Sequence, residues 1–222
     1  MSASTIVFDT ETYAIDKVAE YIEPATAPAH YKQPDVIAKY IEQANKEQIA
    51  KAALDLDLGR IVAIGVQVDQ HEPEVRLART EADEREALVW FWSLVGSWKG
   101  LDHPTTLIGF NIVGFDLPFL ARRSLYLNVP APLLPLNKYR HPGIEDLLLR
   151  LSYDGAQKYR SLDFYARRFN LSVTAQPHTG ADIAELVNNE DWAAVRAHCL
   201  ADIRTTVALA RRIGVLPEPE VF

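Results

Sequence analysis

Two acids stand where the chain otherwise reads as a buried strand. The apolar run Thr5-Ile6-Val7-Phe8 leads directly into Asp9-Thr10-Glu11. Residues two apart on a strand project from the same face, so Asp9 and Glu11 stand side by side. Acids flanked by buried strand are costly unless paired or metal-bound. Two more acids close motifs further on, Asn111-Ile112-Val113-Gly114-Phe115-Asp116 and His198-Cys199-Leu200-Ala201-Asp202. The last motif lies in a long helical pattern, where His198 and Asp202, four apart, share a face. If Asp9, Glu11, Asp116 and Asp202 converge, each close pair repels by roughly 4 kcal/mol at about 4 Å and an effective dielectric of about 20. Cations between the oxygens relieve that repulsion, and all-oxygen carboxylate sites suit Mg²⁺ or Mn²⁺. A two-metal site of this kind activates a water and stabilises the leaving oxygen of a phosphodiester.

Each motif has a plainer reading. Asp55 and Asp57 repeat the Asp-x-Glu spacing and read as a loop before the Gly59 turn. Asn111 or Asp116 alone is what a helix N-cap requires. Glu145, Asp146, Asp163 and Asp182 stand near helix starts and read as capping acids. His30, His71, His103, His141 and His178 fall in loop-like sequence and read as surface or structural residues. Cys199 points about 100° away from His198 on a helix and reads as a small buried residue. The acids of the three motifs gain weight from their order and from the elements that carry them.

The remaining chain bounds the problem. Its 222 residues suffice for one well-cored domain. A hydrophobic fraction of 48% and a charged fraction of 24% are those of a soluble globule. The single cysteine fits a reducing compartment, and no signal-peptide or membrane-span pattern is expected, so the expectation is cytoplasmic, with no membrane partner. A net charge of −7 argues against broad gripping of duplex, although a protein holding a few terminal nucleotides needs few phosphate contacts.

The pattern predicts one domain over 1–222 with an inserted arm at about 13–57. The arm opens on a Pro- and Ala-rich stretch (Pro24, Pro28, Pro34) and becomes helical from Asp35 to Leu54, with an apolar stripe of Val36, Ile37, Tyr40, Ile41, Ala44, Ile49 and Ala52. Lys32, Lys39, Lys46 and Lys51 are either strand-contacting residues or a solvated face. Strands are predicted at Ile61–Val68, Val75–Ala78 and Thr106–Phe110, and helices at about Asp83–Trp98, from Pro118 onward and at about Asp191–Ile213. The tryptophans Trp90, Trp92 and Trp98 read as packing residues. A loop rich in proline (Pro130, Pro132, Pro135) precedes several short helices. Strands early and helices later give an α/β class, a mixed central β-sheet flanked by α-helices.

Together the three motifs resemble the signatures of the DEDD 3′–5′ exonucleases, which are RNase H-like. Gly59-Arg60-Ile61-Val62-Ala63-Ile64-Gly65, Ser161-Leu162-Asp163-Phe164-Tyr165-Ala166 and Gly180-Ala181-Asp182-Ile183 further resemble the exonuclease domain of family-B DNA polymerases, over most of residues 5–213. The resemblance implies that Asp9, Glu11, Asp116 and Asp202 hold two divalent ions, Mg²⁺ or Mn²⁺. It implies a substrate of single-stranded or frayed DNA 3′ ends, RNA being the alternative, with Thr10, Asn111 and Phe115 at the terminal nucleotide. A polymerase or replication partner is left unassigned. His198 departs from the pattern: one branch places Tyr four residues before the last Asp, the other His five before it, and here His holds the Tyr spacing while Ala197 is five before. At that place it is expected to take the proton of the attacking water, as a group with ordinary pKa about 6.5 can. The rivals are an inactive nucleic-acid-binding scaffold that keeps the fold and an RNA-processing exoribonuclease.

Overall fold

The computed structural model describes residues 4–96, 105–134, 136–137, 141–171 and 178–218. Trp98, His103 and Pro135 lie outside the described residues, as does the end of the helix predicted to reach Trp98. Among the described residues, β1 is Ser4–Ala14, α1 Pro34–Ala52, β2 Gly59–Val68, β3 Glu74–Leu77, α2 Glu81–Val95, β4 Thr105–Gly109, α3 Asp116–Tyr126 and β5 Ile144–Asp146. Then follow α4 Leu147–Leu151, α5 Leu162–Arg168, α6 Ile183–Asn188 and α7 Trp192–Arg212. The five strands form one mixed sheet in the order β3-β2-β1-β4-β5. β1 pairs antiparallel with β2 and parallel with β4, so the strand bearing Asp9 and Glu11 is central. β5 was not legible: three residues carry no alternation, and the strand exists by pairing with β4.

Alternation along β1 assigns its faces. Ile6 and Phe8 enter a core with α2 and α3, including Leu88, Phe91, Phe119 and Leu120. Val7 enters the opposite core with Ile203 and Val207 of α7. Extending the period of two puts Asp9 and Glu11 on the α7 side and Thr10 on the α3 side. The pairing of Glu11 with Ala63 and Thr12 with Ile61 skips Val62, a bulge that bends the sheet just past the acids.

Close approach of α7 to the sheet depends on Gly65, the partner of Asp9 in β2. A Cβ there would lie 2.6 Å from Cys199 Sγ and 3.0 Å from Ile203 Cγ1. The helices are capped as the sequence dictates. Thr80 and Asp83 form a capping box on α2, and Asp191 accepts from Ala194 N at the start of α7. Trp92 is buried and donates to Ser124 Oγ, while Trp90 packs under the Arg76 guanidinium.

A buried pair joins α2 to α3. Arg123 grips Glu84 at 2.7 and 2.8 Å, and Glu84 Oε1 also accepts from Ile61 N at 2.8 Å. Both side chains are almost wholly buried. Glu84→Ala is expected to cost about 3–5 kcal/mol by stranding the guanidinium. Urea unfolding should show the midpoint falling at constant slope; an unchanged midpoint contradicts the assignment.

The arm differs from expectation in one respect. Its helix forms as predicted, but the apolar stripe is largely unburied: Val36 and Ile49 are exposed, and within α1 only Ala52 is buried. Five lysines in 13–57 stand against eight acids, so the arm is not a basic one. Lys46 pairs with Glu42 and Lys32 donates to Ala29 O.

Candidate active site

Three elements deliver the four acids to one place. β1 presents Asp9 and Glu11 toward α7, and α7 returns His198 and Asp202. His198 Nε2 lies 3.6 Å from Glu11 Oε1 and 3.6 Å from Asp202 Oδ2. From the other face, Thr10 donates its amide and its hydroxyl to Asp116 Oδ1, at 3.0 and 2.6 Å. Thr10 therefore spends both donors on a carboxylate at the first position of α3. Asp116 neither caps that helix nor faces solvent; it is buried at the seam with β1.

The turn before α3 is shaped by its own residues. Asn111 has φ +65°, a left-handed conformation that Asn tolerates. Its carbonyl accepts from Gly114 N and Phe115 N. A Cβ on Gly114 would stand 2.6 Å from Asn111 Oδ1, which is why glycine fits there. Asp146 then clasps the turn: Oδ1 accepts from Asn111 N at 3.0 Å and Oδ2 from Val113 N at 2.9 Å. The same carboxylate caps α4 through Leu148 N at 2.9 Å and Leu149 N at 3.3 Å. The capping expectation for Asp146 holds, yet its grip on the turn that leads to Asp116 was not foreseen. A capping acid and a loop clasp look the same in sequence.

Of the other acids, Asp182 accepts from Thr179 N and Oγ1 as a cap does. Glu145 instead pairs with Arg150, and Asp163 pairs with Arg167 while Ser161 caps α5. These two correct the capping expectation: Asp163 finds a cation one helical turn on, and Glu145 reaches from β5 to a cation in α4. Asp163 also stands close enough to Asp202 to raise it. Asp55 accepts from Asp57 N and Leu58 N, and Asp57 pairs with Arg122 and Tyr126, both away from the cleft.

Electrostatics mark the cluster as short of cations. Burial, then Asp116, Glu11 and Asp202, hold the Asp9 carboxyl well above its usual range. Burial and Asp202 do the same for Glu11. Burial lifts Asp202, with His198 opposing. Burial pushes Asp116 to about 7 despite the two bonds from Thr10. Glu11 Oε1 is buried with no hydrogen-bond partner. Ligand atoms of Glu11, His198 and Asp202 all lie within 4.8 Å of one another, as do those of Asp9, Glu11 and Cys199, so these groups could hold a metal ion. Cys199 is buried as expected, and packed against Gly65 its sulfur lies within 4.8 Å of carboxylate oxygens of Asp9 and Glu11.

These shifts set a pH dependence. A carboxyl raised in the folded protein contributes stability below its unfolded value, near 3.8 for Asp116, that is lost as pH rises through about 7. Metal-stripped protein is therefore expected to melt at lower temperature on going from about pH 5 to 8, and divalent cation should restore most at the alkaline end. A melting temperature flat over that window without metal contradicts the clustering.

The acids floor a cleft of about 770 Å³. Thr10, Asn111 and Phe115 line it, together with Phe110, Leu148, Ser161, Leu162, Ala181 and Ala184. The end of α1 and the residues just after it also line the cleft, through Glu47, Ala50, Lys51, Ala53 and Leu54. Of Lys32, Lys39, Lys46 and Lys51, only Lys51 lines the cleft. Exposed His30 and His71 and half-buried His141 and His178 also stand outside it.

Residues 51–216 match the family described as predicted 3′–5′ exonucleases related to the exonuclease domain of PolB. The chain belongs to this family. The match takes in Asp116, His198 and Asp202, while Asp9 and Glu11 precede it. The chain is thus a 3′–5′ exonuclease of the DEDD, RNase H-like type, a hydrolase. Among solved structures, the family B DNA polymerase of the hyperthermophilic archaeon Pyrobaculum calidifontis covers 96% of the exonuclease with a TM-score of 0.61 at 20% identity, which shows the fold. The exonuclease spans 25% of that polymerase. E. coli exonuclease I, in complex with a dT13 oligonucleotide, covers 97% at 13% identity and a TM-score of 0.42, with 42% of its own chain matched. No curated protein matches the sequence. Among the described residues, no helix is long and apolar enough to cross a membrane.

Proposed function

We propose that this exonuclease removes nucleotides from the 3′ end of single-stranded or frayed DNA, using two divalent ions, Mg²⁺ or Mn²⁺, held by Asp9, Glu11, Asp116 and Asp202. One observation carries the reading: four carboxylates from three elements floor one cleft with raised proton affinity, and one buried oxygen, Glu11 Oε1, accepts no hydrogen bond. An oxygen-rich donor set of this kind fits a hard divalent cation. When bound, such ions lower the pKa of a water and stabilise the departing 3′ oxygen.

The chain's own residues do the rest. Thr10 fixes Asp116 across the sheet, and Asp146 fixes the turn that carries it. Phe115, braced on Phe119 at 5.3 Å between centroids, and Phe110 line the cleft and would be its stacking rings. Stacking on such rings is worth about 1–3 kcal/mol per base and tolerates any base. An apolar lining suits unpaired bases better than a duplex. Lys51, which lines the cleft with Glu47 of the same helix, would be the arm's cation toward a backbone phosphate. The inactive-scaffold reading is disfavoured by the same floor, because a chain without metal chemistry gains by replacing repelling acids.

Oligonucleotides labelled at the 5′ end test the substrate and the direction. Single-stranded DNA should give a descending ladder, faster than a blunt duplex, and the same assay on RNA ranks the two sugars. Labelled mononucleotide appearing first would reverse the polarity and sink the reading. Lys51→Gln should weaken single-strand binding and flatten its log–log salt slope by about 0.7. Lys39→Gln, outside the cleft, should leave the slope alone. Equal slopes for wild type and Lys51→Gln return the arm to a solvated face.

A further inference from the structure

We propose that His198 is a nitrogen ligand to one of the cations, not the acceptor of the water's proton, and that it tilts that position toward Mn²⁺, Co²⁺ and Zn²⁺ over Mg²⁺. The inference rests on the metal-dependent reading above. His198 is 4% exposed, so its ring is committed to the seam between β1 and α7. Its Nε2 points between Glu11 and Asp202, 3.6 Å from an oxygen of each. A charge-assisted hydrogen bond would close to about 2.7–2.9 Å, so these are not the contacts of an imidazolium bonded to its acids. They are the span of donors sharing one ion: ligands each about 2.1 Å from zinc stand roughly 3.4 Å apart at a tetrahedral angle.

One unpartnered atom supports the same conclusion: Glu11 Oε1, one of the two oxygens facing Nε2, receives no hydrogen bond. Nε2 faces two other candidate ligands at equal distance. Ligand atoms of Glu11, His198 and Asp202 lie within 4.8 Å of one another, an O,N,O set. Imidazole suits borderline ions, and affinities of such sites climb from Mn²⁺ toward Zn²⁺, while Mg²⁺ takes oxygen. Placing His at the Tyr spacing of the helix therefore exchanges an oxygen-bearing side chain for a nitrogen ligand.

Pulsed electron paramagnetic resonance on the whole protein, stripped and reloaded with Mn²⁺, reads this without an activity assay. Wild type should show coupling to ¹⁴N, and growth on ¹⁵N-histidine should convert it to the ¹⁵N pattern, with no substitution to disturb the fold. His198→Ala should lose the coupling. In calorimetry the variant should bind Mn²⁺ and Zn²⁺ about tenfold or more weaker, with a smaller change for Mg²⁺. Mn²⁺ bound at full affinity without nitrogen coupling overturns the proposal and leaves the carboxylate site standing, as does coupling that survives in His198→Ala. Failure of wild type to bind any divalent ion overturns this proposal and the metal-dependent reading together.

Discussion

Asp9→Asn is expected to abolish nucleotide release and, in the same tube, to raise the melting temperature of the metal-free protein. Both effects follow from one geometry. Asp9 feels burial first and then Asp116, Glu11 and Asp202, so its charge is a strain on the unloaded fold. Removing it should stabilise metal-stripped protein by about 1–2 kcal/mol, or roughly 2–8 °C for a chain of this size. With the ligand gone, the several kcal/mol of transition-state stabilisation that a cation supplies goes too, about 10³-fold or more in rate. In saturating Mg²⁺ the stability order should reverse, because only wild type gains from binding. An Asp9→Asn protein that melts lower without metal would show Asp9 to be a structural residue; one that digests DNA at the wild-type rate would remove it from the site.

Asp146→Ala should be nearly as damaging from a distance. Its carboxylate accepts from Asn111, Val113, Leu148 and Leu149 amides and touches none of the four metal-ligand candidates by hydrogen bond. Hydrogen bonds to a charged group are worth about 1.5–3 kcal/mol each, and shared ones do not add, so a loss of about 3–5 kcal/mol is expected. Release of the turn also lets Asp116 drift, and a misplacement of about 1 Å can cost on the order of 10² in rate. Asp146→Asn keeps one acceptor oxygen and should recover part of both losses. Activity unchanged in folded Asp146→Ala would show that Thr10 alone positions Asp116.

The parts of this molecule that repeat or alternate were legible in the chain. The period of two along Ile6, Val7 and Phe8 fixed which face Asp9 and Glu11 share, and the spacing of four paired His198 with Asp202. The caps Thr80 and Asp191 were not named from the sequence, although their bonds reach only three residues. The rest of what escaped was decided by partners distant in sequence. Asp146 needs the turn at 111–113, 33 to 35 residues away, before its second task exists. β5 is too short to signal and is made by β4. The stripe on α1 had the right period, but Ile37, Ile41 and Ala44 are only half-buried and Val36 and Ile49 are exposed, since periodicity predicts an apolar face and not what covers it. The position of His198 on its helix was readable, whereas Glu11 Oε1 facing it could come only from packing α7 on β1 through Gly65.

Four clustered, repelling carboxylates are expected to make an exonuclease that works only with divalent metal. Metal-stripped wild type, given a 5′-labelled single strand and then increasing Mg²⁺ or Mn²⁺, tests this most directly. The oligonucleotide should stay intact in chelator and give a ladder shortening from the 3′ end as metal is restored. Asp9→Asn and Asp202→Asn should give no ladder at any metal concentration. Shortening that persists in chelator, or that either variant performs at the wild-type rate, would contradict this expectation.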